Sequence, residues 1–171
     1  MRLDDLFAAM ETIGGAAGRS RAAADLIAGL QDRVRRIETL LSARDKVKVL
    51  WVVQREPLRV AGLDTFVNGI IELAGGRNAI GPTLHKYPPI GAEQFIISGV
   101  EAIIEPMMTG SDPNAQQRAA FAYWSRFANV PAVAGKRIYV VDGDIVSRLS
   151  PRLVDGIETI AKCLHPEAFP R

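Results

Sequence analysis

Residues 47–76 read VKVLWVVQREPLRVAGLDTFVNGIIELAGG, and this stretch decides the fold class. Its opening VKVLWVV is mostly apolar and β-branched, the pattern of a strand buried on both faces of a parallel sheet. A loop punctuated by Pro57 and Gly62 follows. Asp64 or Thr65 then caps a helix of FVNGIIELA, and Gly75–Gly76 ends it in the left-handed conformation that glycine adopts without strain. Strand, loop, capped helix and glycine stop are the repeating unit of an α/β protein.

The alternation continues downstream. Residues 77–92 are irregular, 93–98 suggest a short helix, and 102–105 a short strand. After a turn-rich 106–114, a helix over 115–129 carries Phe121, Trp124 and Phe127 near one face. Residues 137–142 form a strand, GDIVSRLSPR a loop, and 151–164 a last helix with Pro151 in its first turn. Upstream, Leu3, Leu6, Phe7, Met10 and Ile13 share one face of a short helix that Gly14, Gly15 and Gly18 interrupt. Ser20 suits the N-cap of a long helix to about residue 42. Leu26, Leu30, Val34, Ile37 and Leu41 make its apolar stripe, with Arg33, Arg35, Arg36 and Glu38 on its solvated side. The fold expected from this alternation is α/β, with a small parallel or mixed sheet and a long helix before it.

Composition narrows the function. The 171 residues are 48% apolar and 23% charged, which suits one domain with a real core. Lys and Arg exceed Asp and Glu by 21 to 19, with no basic stripe interleaved with aromatics, so no nucleic-acid partner is expected. No apolar run reaches the roughly 18 residues of a membrane span. The N-terminus lacks the basic start and apolar core of an export signal.

No nucleophile elbow, zinc-binding HExxH, phosphate loop or dinucleotide fingerprint is present. Neither catalytic residues, a resident cofactor nor a metal is therefore expected. Cys163 and His165 point apart on a helix, and His165 reads as a helix-end residue. Glu101 and Glu105 are expected to face solvent at the ends of their strand, and Trp51 and Trp124 to pack inside.

Three loops that follow strands carry mixed polar and aromatic residues: 55–60, 85–89 and 144–150. Ligands of open α/β sheets gather there, beyond the carboxyl ends of the strands. Tyr87, between Lys86 and Pro88, is either a packing anchor or a stacking surface, and His85 is free to contact a ligand.

Taken together, these pieces resemble a known family. They are Pro57, Ala61 and Gly62 in the first loop, and Ala74, Gly75, Gly76 and Asn78 at the helix end. YPPIGAEQFI (87–96), EAIIE (101–105), Pro131 to Tyr139, Arg148 to Glu158 and Leu164-His165-Pro166 follow in order. No piece is specific alone; their order and spacing over about residues 20–167 are similar to class III periplasmic binding proteins. That family delivers cobalamin, haem and ferric siderophores to ABC importers.

The resemblance implies a three-layer, Rossmann-like α/β lobe with a small, mainly parallel sheet, preceded by a long connecting helix, in three segments: a remnant of the N-terminal lobe side (1–19), the interlobe helix (20–45) and the C-terminal α/β lobe (46–171). Met1 would then be an internal start, or the chain a fragment. Glu93 matches the glutamate that docks on the permease, and Tyr87 an aromatic set against a flat ligand, or a ligand to haem iron. Arg59 and Arg148 would line the cleft and pair with ligand carboxylates or phosphate. Ile145 stands where some cobalamin binders carry an aromatic. The implied partners are a permease and a corrinoid or chelate ligand, with a periplasmic location and membrane contact through the permease alone. The exposed stripe of the long helix could pair two copies. The alternatives are a small cytoplasmic α/β enzyme or regulatory domain using the same loops, or a non-functional remnant of a split gene.

Overall fold

The computed structural model describes residues 3–108 and 110–169. Met1, read above as an internal start, lies outside the described residues. Two helices lead the chain, α1 (Leu3–Ala16) and α2 (Ser20–Leu41). α1 runs through Gly14 and Gly15 instead of breaking there, because Gly14 is where the two helices touch. A Cβ on Gly14 would stand 2.4 Å from that of Ala23. Ile13, about 100° round the helix from that contact, is exposed rather than buried. The stop comes at Gly18, at φ +65°. Ser20 is the first helical residue, not the cap; Arg19 holds the cap position without a side-chain bond.

β1 (Val47–Gln54) turns through a cis Glu56–Pro57 peptide into β2 (Arg59–Val60), which pairs back antiparallel. Residues read as loop are therefore partly strand. α3 (Phe66–Leu73) begins at Thr65, whose hydroxyl accepts the Asn68 amide at 3.2 Å, and Gly75 closes it at φ +78°. Then come β3 (Gly76–Asn78), α4 (Ala92–Ile97) and β4 (Ala102–Met107). α5 (Pro113–Trp124) is capped by Asp112 and gives way to a 3₁₀ turn over Ser125–Phe127, where one continuous helix was expected. α6 (Pro131–Ala134) and β5 (Ile138–Asp142) precede α7 (Gly143–Val146), a single turn in the segment read as loop. α8 (Leu153–Leu164) begins two residues after Pro151.

The sheet is mainly parallel. β1 pairs with β4 and β4 with β5 in parallel, while β3 (parallel) and β2 (antiparallel) share the other edge of β1 end to end. Alternate residues of β1 feed two cores. Val49 and Trp51 join Ala102 and Ile104 against α2, α3 and α8. Leu50 and Val52 join Ile103 and Ile138 against Phe95 of α4, Trp124 of α5 and Ala132 of α6. The result is the three-layer α/β lobe with its preceding long helix. Among the described residues no helix is long and apolar enough to cross a membrane.

α2 lies along this lobe through Leu30, Val34, Ile37 and Leu41, whereas Leu26 and Leu40 of the same stripe stay exposed. Arg33, read as solvated, instead bridges to α8, with Asp155 at 2.8 Å and Glu158 at 3.0 Å. Lys162, with Arg33 second, holds the Glu158 carboxyl below its ordinary value near 4.5. A carboxyl depressed on folding contributes stability above its unfolded pKa and loses it as pH falls through the folded one. Urea unfolding should therefore show an acid-side loss of stability below about pH 4.5 that Glu158→Gln reduces, by under about 1 kcal/mol because these groups are part-exposed. An acid limb unchanged in the variant would count against this assignment.

Candidate ligand-binding site

β1, β4 and β5 run parallel and so end on one side of the sheet. A hollow of about 550 Å³ opens there, walled by Trp51 and Val53 of β1, Phe66 of α3, Met107 of β4, Tyr87 and Arg148. A larger hollow of about 790 Å³ lies between α1–α2 and α3–α8, away from the ends of β4 and β5. The strand-end hollow is the better candidate, because an aromatic and a cation converge on an apolar floor at the place where α/β sheets bind ligands.

Tyr87 is 38% exposed, and the backbone on either side of it is hydrogen-bonded. Residues 86–90 lie along β2: the Val60 amide donates to the Pro88 carbonyl at 3.2 Å, and that of Gly62 to Lys86 at 2.8 Å. The Ile90 amide donates to Leu58 at 2.9 Å. Gly62 permits this approach, since a Cβ there would sit 2.9 Å from Thr83 Oγ1 and 3.1 Å from the Lys86 carbonyl. Arg148 stands at the rim, exposed, 3.1 Å from Asp144.

The remaining sequence candidates lie outside this wall. Arg59 is exposed on β2, bridged to Pro89, and His85 is exposed on its loop; neither borders the hollow. Ile145 is half-buried against the α3–α8 core, because α7 packs on α8 at Gly156, where a Cβ would come within 2.5 Å of the Ile145 carbonyl. Glu93 is exposed in the first turn of α4, and Ile97, one turn on, is 82% exposed. Phe95, between them, anchors the helix by packing on Trp124 and Phe127.

Glu101 and Glu105 depart from their sequence reading, and Trp51 adds to its own. Trp51 is buried as expected, yet it forms part of the wall, so an indole does border the site. Glu101 is half-buried and accepts the Lys48 amide at 2.6 Å. Glu105, expected in solvent, is 6% exposed. Strand alternation turns it with Ile103 toward α5, where it accepts Arg55 Nε at 3.1 Å, Arg55 Nη2 at 2.5 Å and Trp124 Nε1 at 2.6 Å. Arg55, the first residue of a candidate loop, is therefore committed to the interior. Sequence reasoning also passed over Phe66, Val53 and Met107; the available signal was their place at strand and helix ends facing the switch between the sheet and its loops.

His165 is buried with Nε2 3.0 Å from the Gly75 carbonyl, a structural contact between the end of α8 and the end of α3. Burial pushes the Cys163 thiol up to about 11, so it stays protonated and unreactive at neutral pH.

Residues 2–145 match the sequence profile of the family described as periplasmic binding protein. The chain is 25% identical over 169 residues to YvrC, an ABC transporter substrate-binding lipoprotein of Bacillus subtilis (strain 168), covering 96% of this chain and 51% of that protein. It is 26% identical over 165 residues to a cobalamin-binding protein of Halobacterium salinarum, covering 95% and 44% respectively. It thus spans about half the length of these curated relatives. In fold it is similar to a periplasmic heme-binding protein from Pseudomonas aeruginosa, with TM-score 0.82 and 23% identity over 99% of this chain and 62% of that one.

The two charged contacts near the site should differ sharply in weight. Glu105→Ala leaves Arg55 and Trp124 without their partner and is expected to lower stability by roughly 3 kcal/mol or more. Arg148→Ala removes an exposed pair and should cost less than about 1 kcal/mol. Urea unfolding of both variants measures the difference; equal losses would contradict the burial described.

Proposed function

The chain belongs to the periplasmic binding protein family, and from that premise we propose that it is the C-terminal lobe and interlobe helix of an ABC importer's substrate-binding component. The family is one of transport proteins, not enzymes. The ligand we assign is cobalamin or an iron chelate, haem or a ferric siderophore. One observation carries this reading: the apolar hollow at the ends of β1, β4 and β5, with Tyr87 and Arg148 on its wall.

Tyr87 offers a ring for stacking on a corrin or porphyrin face, or a phenolate for haem iron. Arg148 supplies the cation for a ligand carboxylate or phosphate, trading its exposed contact with Asp144. Arg59 and His85 stand outside the wall, in reach only of a ligand that extends beyond the hollow, and Ile145 stays packed on the α3–α8 core. Binding needs no covalent step and no resident cofactor. With Met108 83% exposed beside the hollow, a flat ligand seated there keeps one face in water until a second surface closes over it.

Glu93 and Ile97 on α4 give a charged and an apolar point for docking on the permease, through which the protein meets the membrane from the periplasmic side. The charge sets orientation more than affinity. Ile13, Leu26 and Leu40 are the exposed residues through which two copies would pair. The α/β-enzyme alternative is the less favoured, since Glu105 is held by Arg55 and Trp124 on the far face of the sheet and Asp144, the carboxylate on the wall, pairs with Arg148.

A difference-absorbance titration with cyanocobalamin, hemin and a ferric hydroxamate tests the reading. Saturable binding of one of them, weakened by about tenfold or more in Tyr87→Ala, is the expected outcome. A variant that binds as wild type removes Tyr87 from the site, and no saturable change with any of the three overturns the ligand assignment.

A further inference from the structure

We infer that Glu105 is a positioning residue for the Tyr87 face: by holding Arg55, it fixes the β1–β2 ribbon against which the Tyr87 segment lies. For its functional consequence the inference rests on the ligand reading above; its structural part stands independently of it.

Glu105 directly precedes Pro106 and Met107, which wall the hollow, but its own side chain points through to the opposite face. There one carboxylate receives hydrogen bonds from two elements. Arg55 comes from the start of the β1–β2 turn and Trp124 from the end of α5. The backbone of Arg55 is held as well, since its carbonyl accepts the Tyr123 hydroxyl at 2.7 Å. The turn end of the ribbon is thus tied to β4 by a side chain and to α5 by the main chain.

The ribbon needs this anchoring. β2 has two residues, the pairing shifts register between Val52 and Gln54, and Gln54, Glu56 and Pro57 are exposed. β1 itself is fixed in the five-stranded sheet, so the exposed turn between β1 and β2 is the part that depends on further contacts. The ribbon's outer edge nevertheless carries residues 86–90 through the amides of Val60, Gly62 and Ile90. The carbonyls that Val60 and Gly62 engage belong to Pro88 and Lys86, the two neighbours of Tyr87. A continuous set of bonds therefore runs from Glu105 through Arg55 and β2 to both sides of Tyr87.

Glu105→Gln is the informative change, because it keeps the side-chain volume and an oxygen acceptor for Trp124 while removing the charge that holds Arg55. Arg55→Lys, which keeps the charge but not the two-point contact, serves as a milder second variant if the first folds poorly. The measurement is amide hydrogen exchange on the ligand-free chain. Exchange at Val60, Gly62 and Ile90 should rise by about tenfold, while the Ile103 amide, bonded to the Arg137 carbonyl in the β4–β5 ladder, keeps its protection. A rise shared by Ile103, or none at Val60, Gly62 and Ile90, overturns the inference.

Titration with hemin adds a readout that general destabilisation would not give. Glu105→Gln should weaken hemin binding in the wild-type background but not further in Tyr87→Ala. Equal weakening in both backgrounds overturns the positioning role. A wild-type chain that binds no probe, but whose Glu105→Gln variant shows the local exchange, removes the ligand reading and leaves the positioning intact.

Discussion

Every layer of this lobe is referred to β1. Its residues Val49, Leu50, Trp51 and Val52 are all buried, two on each face, and both of its edges are hydrogen-bonded to neighbouring strands. Fully burying an aliphatic side chain contributes about 1.5–3 kcal/mol. Four consecutive buried positions can be satisfied only if helices cover both faces of the sheet. That requirement places α3 and α8 on one side and α4 and α5 on the other. The site follows from the same strand. Where β1 leaves the core, at Val53, the apolar wall continues into solvent and the hollow begins.

Charged contacts matter here in proportion to their burial. Arg33 with Asp155 and Glu158 ties α2 to α8, yet these side chains are a third or more exposed, and water screens the attraction. The hold of α2 on the lobe comes instead from Leu30, Val34, Ile37 and Leu41. Glu105 with Arg55 is different. Its carboxylate is buried and shared with the Trp124 indole, so the pair acts as a fixed joint between β4, α5 and the β1–β2 turn. A joint of that kind stiffens a loop beside a binding site without touching the ligand.

That distinction matters for the ligand-binding role proposed for the strand-end hollow. Affinity there depends on how little the contacting residues must be ordered on binding. Tyr87 is exposed, but the backbone on either side of it is bonded to β2 before any ligand arrives. The ring proposed to stack on the ligand is therefore presented by a prearranged segment, with rotation of the side chain as the main freedom left to lose.

Periodicity and punctuation determined much of this protein without reference to anything distant. The apolar run of β1, the Thr65 cap and Gly75 stop of α3, the stripe of α2 and the amphipathic α8 are local patterns, each written within its own segment. The α/β class follows from them, and with it the strand-end place of the candidate site; Tyr87 as its aromatic rests on the family resemblance rather than on a local pattern. Tertiary structure alone decided the rest. β2 and β3 are too short to carry a pattern and are strands because β1 offers them an edge. Glu105 lies 50 residues from Arg55, and nothing near either residue announces the other. Trp51 reaches the hollow, and Ile145 does not, because of how α3, α7 and α8 pack around them. A chain's sequence specifies what each segment prefers to bury; which partner meets it across the fold depends on the packing of all segments at once.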